Sequence, residues 1–172
     1  MQHRRHLVFG LILAATVIGL DQISKWAIME LMRPPRVIEI TPFFNLVVGW
    51  NRGISFGLFN NDSPLNAWIL SILALSIAIV LVIWLSRTDR RSVAIGLGLI
   101  IGGAIGNVID RLRFGAVFDF LDVHAYGFHW PAFNVADSAI TIGAVLLVAD
   151  SLFARPEARK IADENGSNET RP

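Results

Sequence analysis

Four long apolar stretches constrain the fold of this chain more than any other feature. They cover residues 7–27, 66–85, 93–112 and 134–153. A helix needs about 20 mostly apolar residues to cross the hydrocarbon core of a bilayer, so each stretch is long enough. Charged residues make up only 17% of the chain, less than in a typical soluble domain. Because backbone polar groups in lipid must be satisfied internally, the sequence predicts an all-α membrane protein with four transmembrane helices.

The first apolar stretch is predicted to be a retained span rather than a cleaved signal peptide. Arg4 and Arg5 precede it, as they would in a signal peptide. No small-x-small cleavage site follows, however, and the stretch runs directly into a polar segment at residues 21–26.

The distribution of Lys and Arg predicts how the spans are oriented. Nine lie at the N-terminus, in the 86–92 turn and in the C-terminal tail, and six lie on the other side. Three of the nine crowd into the 86–92 turn, and short loops carry the positive-inside rule. We therefore expect both termini in the cytoplasm and residues 28–65 and 113–133 outside it.

The end of the last apolar stretch divides the chain into a four-span domain, residues 1–153, and a polar tail, residues 154–172. The tail is expected to be cytoplasmic and disordered. In the first outer segment, residues 36–40 and 43–50 are rich in β-branched and aromatic side chains, which predicts two short strands. We expect them to form a small extracytoplasmic β-platform, while the second outer segment is interpreted as a loop.

Polar residues from several distant segments are predicted to meet at one level, the outer ends of the helices. They are Asp21, Asn51, Asn107, Asp110, Arg111, Asp119, Asn134 and Asp137. Polar groups at bilayer depth are costly and indicate a functional site. Plainer explanations stand beside this one: Asp21 and Asp137 would serve as helix caps, and Asp110 and Arg111 as an interfacial salt bridge. Asp150 lies at the opposite, inner end and is not assigned to the site.

A stripe of small residues is expected to bring two helices close together near this site. Gly98, Gly102 and Gly106 recur every four residues in the third span. Such a stripe permits close helix approach, and plain packing is the interpretation it favours.

Two carboxylates in one site indicate acid–base chemistry. A closely spaced pair cannot ionise fully at low cost, so one member retains a proton. One carboxylate then deprotonates water while the other protonates the substrate, which hydrolyses a peptide without a metal. The pattern alone leaves two alternatives open: a proton-coupled transporter and a site for a divalent cation.

Other chemistries are disfavoured by composition. The chain has no cysteine, which removes thiol nucleophiles and Cys-ligated zinc. Only His124 and His129 lie in the outer segments, too few for a zinc protease. A Gly-x-Ser-x-Gly string ends at Gly57, but four spans leave no room for the hydrolase sheet that this motif requires. No cofactor or metal is expected, and a net charge of +1 gives no reason to expect a nucleic-acid partner.

Four ordered motifs make the chain similar to lipoprotein signal peptidase, also called signal peptidase II. The motifs are DQISK at residues 21–25, GGAIGNVIDR at 102–111, VFDF at 117–120 and FNVADS at 133–138. They occur in the family's order with four spans around them, which makes the resemblance specific.

The resemblance implies four transmembrane helices with a small extracytoplasmic β-platform in a bacterial inner membrane. It implies removal of the signal peptide of a diacylglyceryl-modified prolipoprotein, just before the lipidated cysteine. Asp119 and Asp137 match the family's catalytic pair. Asn51, Gly53, Asn107, Arg111 and Asn134 match the family's positions around the substrate and the pair, and Asp21 and Asp110 match supporting positions. Globomycin-type peptides are implied as inhibitors, and membrane lipids as surroundings.

One block departs from the family pattern. The family has roughly N-x-G-A-A-F-S, whereas this chain has NRGISFG from Asn51 to Gly57. Ile54 is larger than the alanine it replaces, so substrate preference or inhibitor affinity is expected to differ if this position lines the groove.

Overall fold

The computed structural model describes residues 2–53 and 64–153, and it contains four long helices and a small sheet. The helices are α1 (Gln2–Leu31), α2 (Pro64–Arg87), α3 (Arg91–Phe114) and α4 (Val135–Phe153), and all four are long and apolar enough to span a membrane. The strands are β1 (Ile38–Thr41), β2 (Phe44–Asn51), β3 (Val117–Ala125) and β4 (Phe128–His129). The prediction of four spans and a small β-platform is confirmed. The predictions for Ile54 and for the tail from residue 154 lie outside the described residues.

Helices α1, α2 and α3 extend beyond the apolar stretches that predicted them, whereas α4 begins at Val135, one residue after its stretch does. The first, for example, was predicted over residues 7–27 and is observed as Gln2–Leu31. Hydropathy detects only the part of a helix that lies in hydrocarbon, whereas backbone hydrogen bonding continues into the interface. Helix α3 ends where Gly115 adopts φ 72° and its N–H donates to the Arg111 carbonyl at 2.9 Å, a left-handed C-terminal cap.

Helix α3 forms the centre of the bundle and packs against each of the other three helices. Its glycines permit this approach. A Cβ atom at Gly98 would lie 2.7 Å from the carbonyl oxygen of Gly10, and one at Gly102 would lie 2.7 Å from that of Ala14. No side chain fits at those distances, so the small-residue stripe serves packing of α3 on α1, as expected.

The four strands form one antiparallel sheet in the order β1-β2-β3-β4. The two predicted strands are confirmed within two residues of their predicted ends as β1 and β2. The interpretation of the second outer segment as a loop is wrong, because residues 117–125 form β3, the longest strand. Their β-branched and aromatic composition carried the strand signal. Strand β3 pairs with both β2 and β4 and therefore lies inside the sheet rather than at an edge.

Candidate active site

Asp119 lies on strand β3 and is held in place on both sides. Across the sheet it faces Gly49 of β2, where an added Cβ would lie 3.0 Å from the Asp119 carbonyl oxygen. On the other side, the N–H groups of Phe120 and Leu121 donate to the Phe133 carbonyl at 3.0 and 2.9 Å. These bonds tie β3 to the segment that leads into α4. The sheet therefore fixes the position of the Asp119 backbone relative to the start of the last helix.

The first turn of α4 positions Asp137. Asn134 precedes the helix, and its Oδ1 accepts the Asp137 N–H at 2.9 Å. In return, the Asp137 Oδ2 accepts the Asn134 N–H at 3.2 Å. These reciprocal bonds form a capping box, which satisfies two backbone donors that the helix would otherwise leave unpaired. The helix-cap interpretation of Asp137 is thus correct, and the cap also fixes the carboxylate in space.

Two carboxamides connect the two aspartates. The Asn134 Nδ2 donates to Asp119 Oδ1 at 2.7 Å, and the Asn107 Nδ2 donates to Asp137 Oδ1 at 2.7 Å. The amides also contact each other, since Asn134 Nδ2 lies 3.2 Å from Asn107 Oδ1. Each aspartate therefore receives a hydrogen bond from a neutral donor rather than an ion pair.

A buried lysine lies directly behind this pair. Lys25 is 1% exposed, and its Nζ lies 2.8 Å from Asp21 and 2.8 Å from Asp110. It also donates to Asn107 Oδ1 at 3.2 Å. This role was not predicted from the sequence, where Lys25 counted only as one of the six positive charges on the outer side. The spacing of Asp21 and Lys25, four residues apart on one helix face, was the available signal.

Asp21 and Asp110 support neighbouring elements in addition to binding Lys25. The Asp21 Oδ1 accepts the N–H of Ala136 in the first turn of α4 at 3.0 Å. The Asp110 Oδ2 accepts the N–H of Phe118, next to Asp119, at 3.1 Å. The ion pair of Asp110 is therefore with Lys25, not with Arg111 as one alternative had it. Gln22, also missed, donates to both carboxylates, at 3.1 Å to Asp21 and 2.9 Å to Asp110.

Arg111 is a half-buried cation beside the carboxylates. Its charge interacts with those of Asp137, Asp119 and Asp110. Its Nε is buried and has no hydrogen-bond partner within the described part of the chain. The guanidinium thus supplies positive charge near the pair without being committed to a single carboxylate.

The environment of Asp119 favours its protonated form. Burial of the carboxyl, followed by the charge of Asp137, raises the pKa of Asp119 from 3.8 to about 7. Side-chain hydrogen bonds from Asn51 and Asn134 and the charge of Lys25 offset only part of this rise. A carboxyl of this kind exchanges a proton near neutral pH, as a general acid or base must.

A groove of about 570 Å³ opens beside Asp137. It lies between one face of α4 and the segment before that helix, and its lining is largely apolar. The lining residues are Asn51, Trp130, Pro131, Ala132, Phe133, Asp137, Ser138, Ile140, Thr141 and Ile142. Asn51 is braced by the buried Gly53, whose N–H donates to Asn51 Oδ1 at 3.2 Å. Asp137 is the carboxylate that faces this groove, and Asp119 lies behind it at 3% exposure.

The structure brings all the predicted polar residues to one end of the bundle, as described above for each. Within residues 2–53 and 64–153, no group of three or more His, Cys, Asp or Glu side chains is arranged to hold a metal ion. Four membrane-spanning helices with adjacent carboxylates at one end are the features of a membrane-embedded aspartyl peptidase.

The comparison with known proteins identifies the family. The signal peptidase II family model matches residues 13–153, and the chain belongs to that family. It is 42% identical over 157 residues to the lipoprotein signal peptidase of Methylobacterium sp. (strain 4-46), covering 90% of this chain and 94% of that one. It is 48% identical over 137 residues to that of Burkholderia multivorans, covering 79% and 82%.

Solved structures agree with this assignment. A bacterial membrane enzyme determined by the in meso method at 1.9 Å superposes with a TM-score of 0.75 at 29% identity, covering 86% of this chain and 94% of that one. A second, at 2.3 Å, gives a TM-score of 0.74 at 30% identity, covering 84% and 87%. The protein is therefore a membrane-embedded aspartyl peptidase that removes signal peptides from prolipoproteins. No finding supports the transporter alternative.

Proposed function

We propose that Asp119 and Asp137 are the catalytic pair and that they cleave a diacylglyceryl-modified prolipoprotein immediately before its lipidated cysteine. The observation that carries this proposal is the pairing of two neighbouring carboxylates with two buried carboxamides. Each aspartate accepts an amide hydrogen bond of 2.7 Å, and Asp137 opens onto the groove beside α4. Neutral donors hold the carboxylates in position while leaving them able to exchange protons.

The chemistry is attack by a water molecule held at the pair. One carboxylate removes a proton from the water, whose oxygen attacks the scissile carbonyl carbon, and the other donates a proton to the carbonyl oxygen. Because the two groups interact strongly, they titrate as a pair. Arg111 contributes electrostatic stabilisation of the negative charge that develops as the carbonyl is attacked.

The remaining supporting residues hold the pair and the substrate. Asn107 and Asn134 orient the carboxylates. Asp21 and Asp110 hold Lys25, which lies behind the pair. Asn51, braced by Gly53, contacts both Asp119 and the groove. These two contacts support a role for Asn51 in binding the substrate backbone next to the pair.

The groove gives the substrate a route from the bilayer. Its wall on α4 includes Thr141 and Ile142, which are exposed on the side of the helix where lipid would lie. A signal helix entering laterally would keep its apolar residues in lipid while its end reaches Asp137. The diacylglyceryl chains would stay in the membrane throughout, since each buried CH₂ contributes about 0.8 kcal/mol.

The orientation follows from charge. The inner end of the bundle carries Arg87, Arg90 and Arg91 in one short turn, which favours a cytoplasmic location for that end. The active site then faces the periplasm of a bacterial inner membrane, and both termini lie in the cytoplasm. Globomycin-type peptides would inhibit by occupying the groove at Asp137.

Cleavage of a lipidated prolipoprotein by the purified full chain tests the catalytic assignment. We expect Asp119→Asn and Asp137→Asn each to lower kcat by about 1,000-fold or more, because each removes a proton-transfer group. Asp150→Asn is the matched control, since it removes an aspartate of the same bundle at the opposite end, and it is expected to keep wild-type activity. Near wild-type cleavage by either active-site variant would refute the assignment.

A further inference from the structure

Lys25 is oriented toward the catalytic pair although it touches neither aspartate. Its ammonium contacts three groups: the carboxylates of Asp21 and Asp110, and the side-chain oxygen of Asn107. The last contact connects it to the site, because the other end of the Asn107 amide donates to Asp137 at 2.7 Å.

We propose that Lys25 is a positioning residue that, through Asn107, holds Asp137 in its ionised form and leaves Asp119 as the proton donor of the pair. This inference rests on the proposed function of Asp119 and Asp137 and assigns their separate roles.

The first step of the argument concerns the orientation of one amide. A carboxamide has a donor end and an acceptor end, and a lysine ammonium is a donor only. With Lys25 Nζ at 3.2 Å, the end of Asn107 that faces it must be the oxygen. The Asn134 Nδ2, also a donor, approaches that same oxygen at 3.2 Å. Asn107 therefore has its NH₂ group fixed toward Asp137, and a flipped amide would place an oxygen against a carboxylate oxygen instead.

The second step compares the donors around the two aspartates. Asp137 accepts the Asn107 amide at one oxygen and the Asn134 backbone N–H at the other, in the first turn of α4. Hydrogen bonds to the charged form and a helix N-terminus both favour a carboxylate. Asp119 also accepts two hydrogen bonds, from the side chains of Asn134 and Asn51, but it lies on a strand, without a helix N-terminus, and is almost fully buried. The burial that raises the pKa of Asp119 to about 7 acts in the same direction.

Charged groups from three other elements also face Asp137. They are Lys25 and Asp21 on α1, Arg111 on α3, and Asp119 on β3. Lys25 is balanced by two carboxylates in contact with it, so its net field at Asp137 is reduced. Its effect is therefore transmitted mainly by fixing the amide between them.

With these roles the reaction balances. Asp137 removes a proton from water as the water oxygen bonds to the carbonyl carbon, and Asp119 protonates the carbonyl oxygen to give a gem-diol. As the C–N bond breaks, Asp137 returns its proton to the leaving nitrogen. One hydroxyl of the gem-diol returns a proton to Asp119, so the pair is restored for the next turnover.

The test is a double-mutant cycle on the pH profile of kcat/KM, measured with a lipidated prolipoprotein and the full-length enzyme. We expect Lys25→Met and Asn107→Leu each to lower kcat/KM by about 100-fold, as loss of a preorganised donor does. Each should also move the acidic limb of the profile to higher pH. The double variant should show no further change, because both substitutions remove the same amide orientation. Additive losses, or an unmoved acidic limb, would overturn the proposal.

Lys25→Met leaves two buried carboxylates without their cation and is expected to lower the Tm. Lys25→Arg therefore serves as the second variant, since a guanidinium is also a donor only and preserves the charge. It should restore the position of the acidic limb at least in part. A limb that stays shifted in a folded Lys25→Arg protein would count against the proposed role.

A readout independent of turnover separates this inference from the proposed function. Infrared difference spectra between pH 5 and pH 8.5 should show a protonated-carboxyl band in wild type and in Asp150→Asn. The same band should be missing from Asp119→Asn. Its persistence in Asp119→Asn would assign the proton elsewhere and overturn the inference, whatever the activity. Full activity of Asp119→Asn, in contrast, would overturn the proposed function itself.

Discussion

The aspartates at the two ends of the helical bundle differ in their hydrogen-bond and ion-pair partners. At the inner end, Asp150 forms an ion pair with Arg90 at 2.7 Å and accepts a hydrogen bond from Ser92. At the outer end, Asp119 and Asp137 accept their closest hydrogen bonds from carboxamides. The outer end does contain a lysine, Lys25, but its ion pairs are with Asp21 and Asp110. Among the described residues, Asp21, Asp110 and Asp150 thus form ion pairs with Lys25 or Arg90, whereas Asp119 and Asp137 have the charge of Arg111 nearby and are held by amide hydrogen bonds.

This difference explains how some carboxylates of the chain stay ionised while others can gain and lose a proton. A carboxylate in contact with an ammonium or guanidinium is held ionised, because losing the charge would also leave the cation unpaired. A carboxylate held by neutral amides keeps its position and can still take up a proton. Because Lys25 forms its ion pairs with Asp21 and Asp110, both kinds of carboxylate occur side by side at the outer end.

Beyond replacement of the two aspartates themselves, removing the amide at the centre of the outer end should have the largest effect on cleavage. Asn134 caps α4 and donates to Asp119, so Asn134→Ala should lower kcat/KM by about 100-fold and cost about 1 kcal/mol through loss of the cap. Asn134→Asp keeps the cap but replaces the donor with a second carboxylate beside Asp119. We expect it to fold well and remain inactive in the cleavage assay. An active Asn134→Asp enzyme would show that the amide donor is dispensable.

Two glycines on one helix provide a direct comparison of the two ends. A Cβ at Gly106 would lie 2.7 Å from the Asp21 carboxylate, whereas one at Gly98 would lie 2.7 Å from the Gly10 carbonyl. Overpacking costs about 1–3 kcal/mol, so both Ala variants should show a lower Tm. Only Gly106→Ala should also lower kcat/KM, by roughly 10-fold, because it displaces the acid that caps α4. Equal activity in the two variants would refute this distinction.

The raised pKa of Asp119 predicts a trade-off between activity and stability. Its folded-state pKa of about 7 exceeds the ordinary 3.8, so the stability contributed at low pH is lost as pH rises through 7. Asparagine cannot ionise and avoids that loss. We expect Asp119→Asn to melt on the order of 5 °C above wild type at pH 8.5 and close to it at pH 4.5. A difference that does not vary with pH would contradict the assignment.

The smallest effect on stability and activity is expected from replacing Asp150 at the inner end. The Arg90 side chain is 45% exposed and that of Asp150 10%, so their ion pair is partly screened by solvent. Asp150→Asn should therefore cost about 1 kcal/mol or less, measured by thermal unfolding, and leave cleavage unchanged. A loss of activity in this variant would mean that the two ends are coupled through the bundle.

The features that sequence predicted are those encoded locally. Runs of apolar residues predicted the four spans, and composition predicted β1 and β2. The reactive aspartates were proposed from topology and family resemblance together. Strand β3 also carried a local signal, in the Val, Phe and Leu residues around position 119, but we assigned this segment to the loop that follows the third span.

What sequence could not predict depends on contacts across the bundle. The contact of Lys25 with Asp110 requires knowing that this face of α1 packs against α3. The bond from Ala136 to Asp21 joins residues 115 positions apart. Hydropathy does not report such pairings, because they depend on which helix faces approach each other.

The bond between Asp21 and Lys25 also has a consequence for how the protein is made. Asp110 and the start of α4 are synthesised long after α1, so Asp21 must enter the membrane without them. Lys25, four residues along the same helix and 2.8 Å away, is present from the start. The nascent helix can thus be inserted as a neutral pair rather than with an isolated charge. Asp110, which is synthesised later, then shares the ammonium of Lys25 with Asp21. Because Asp137 lies on α4, the peptidase becomes active only after this last helix has entered the membrane.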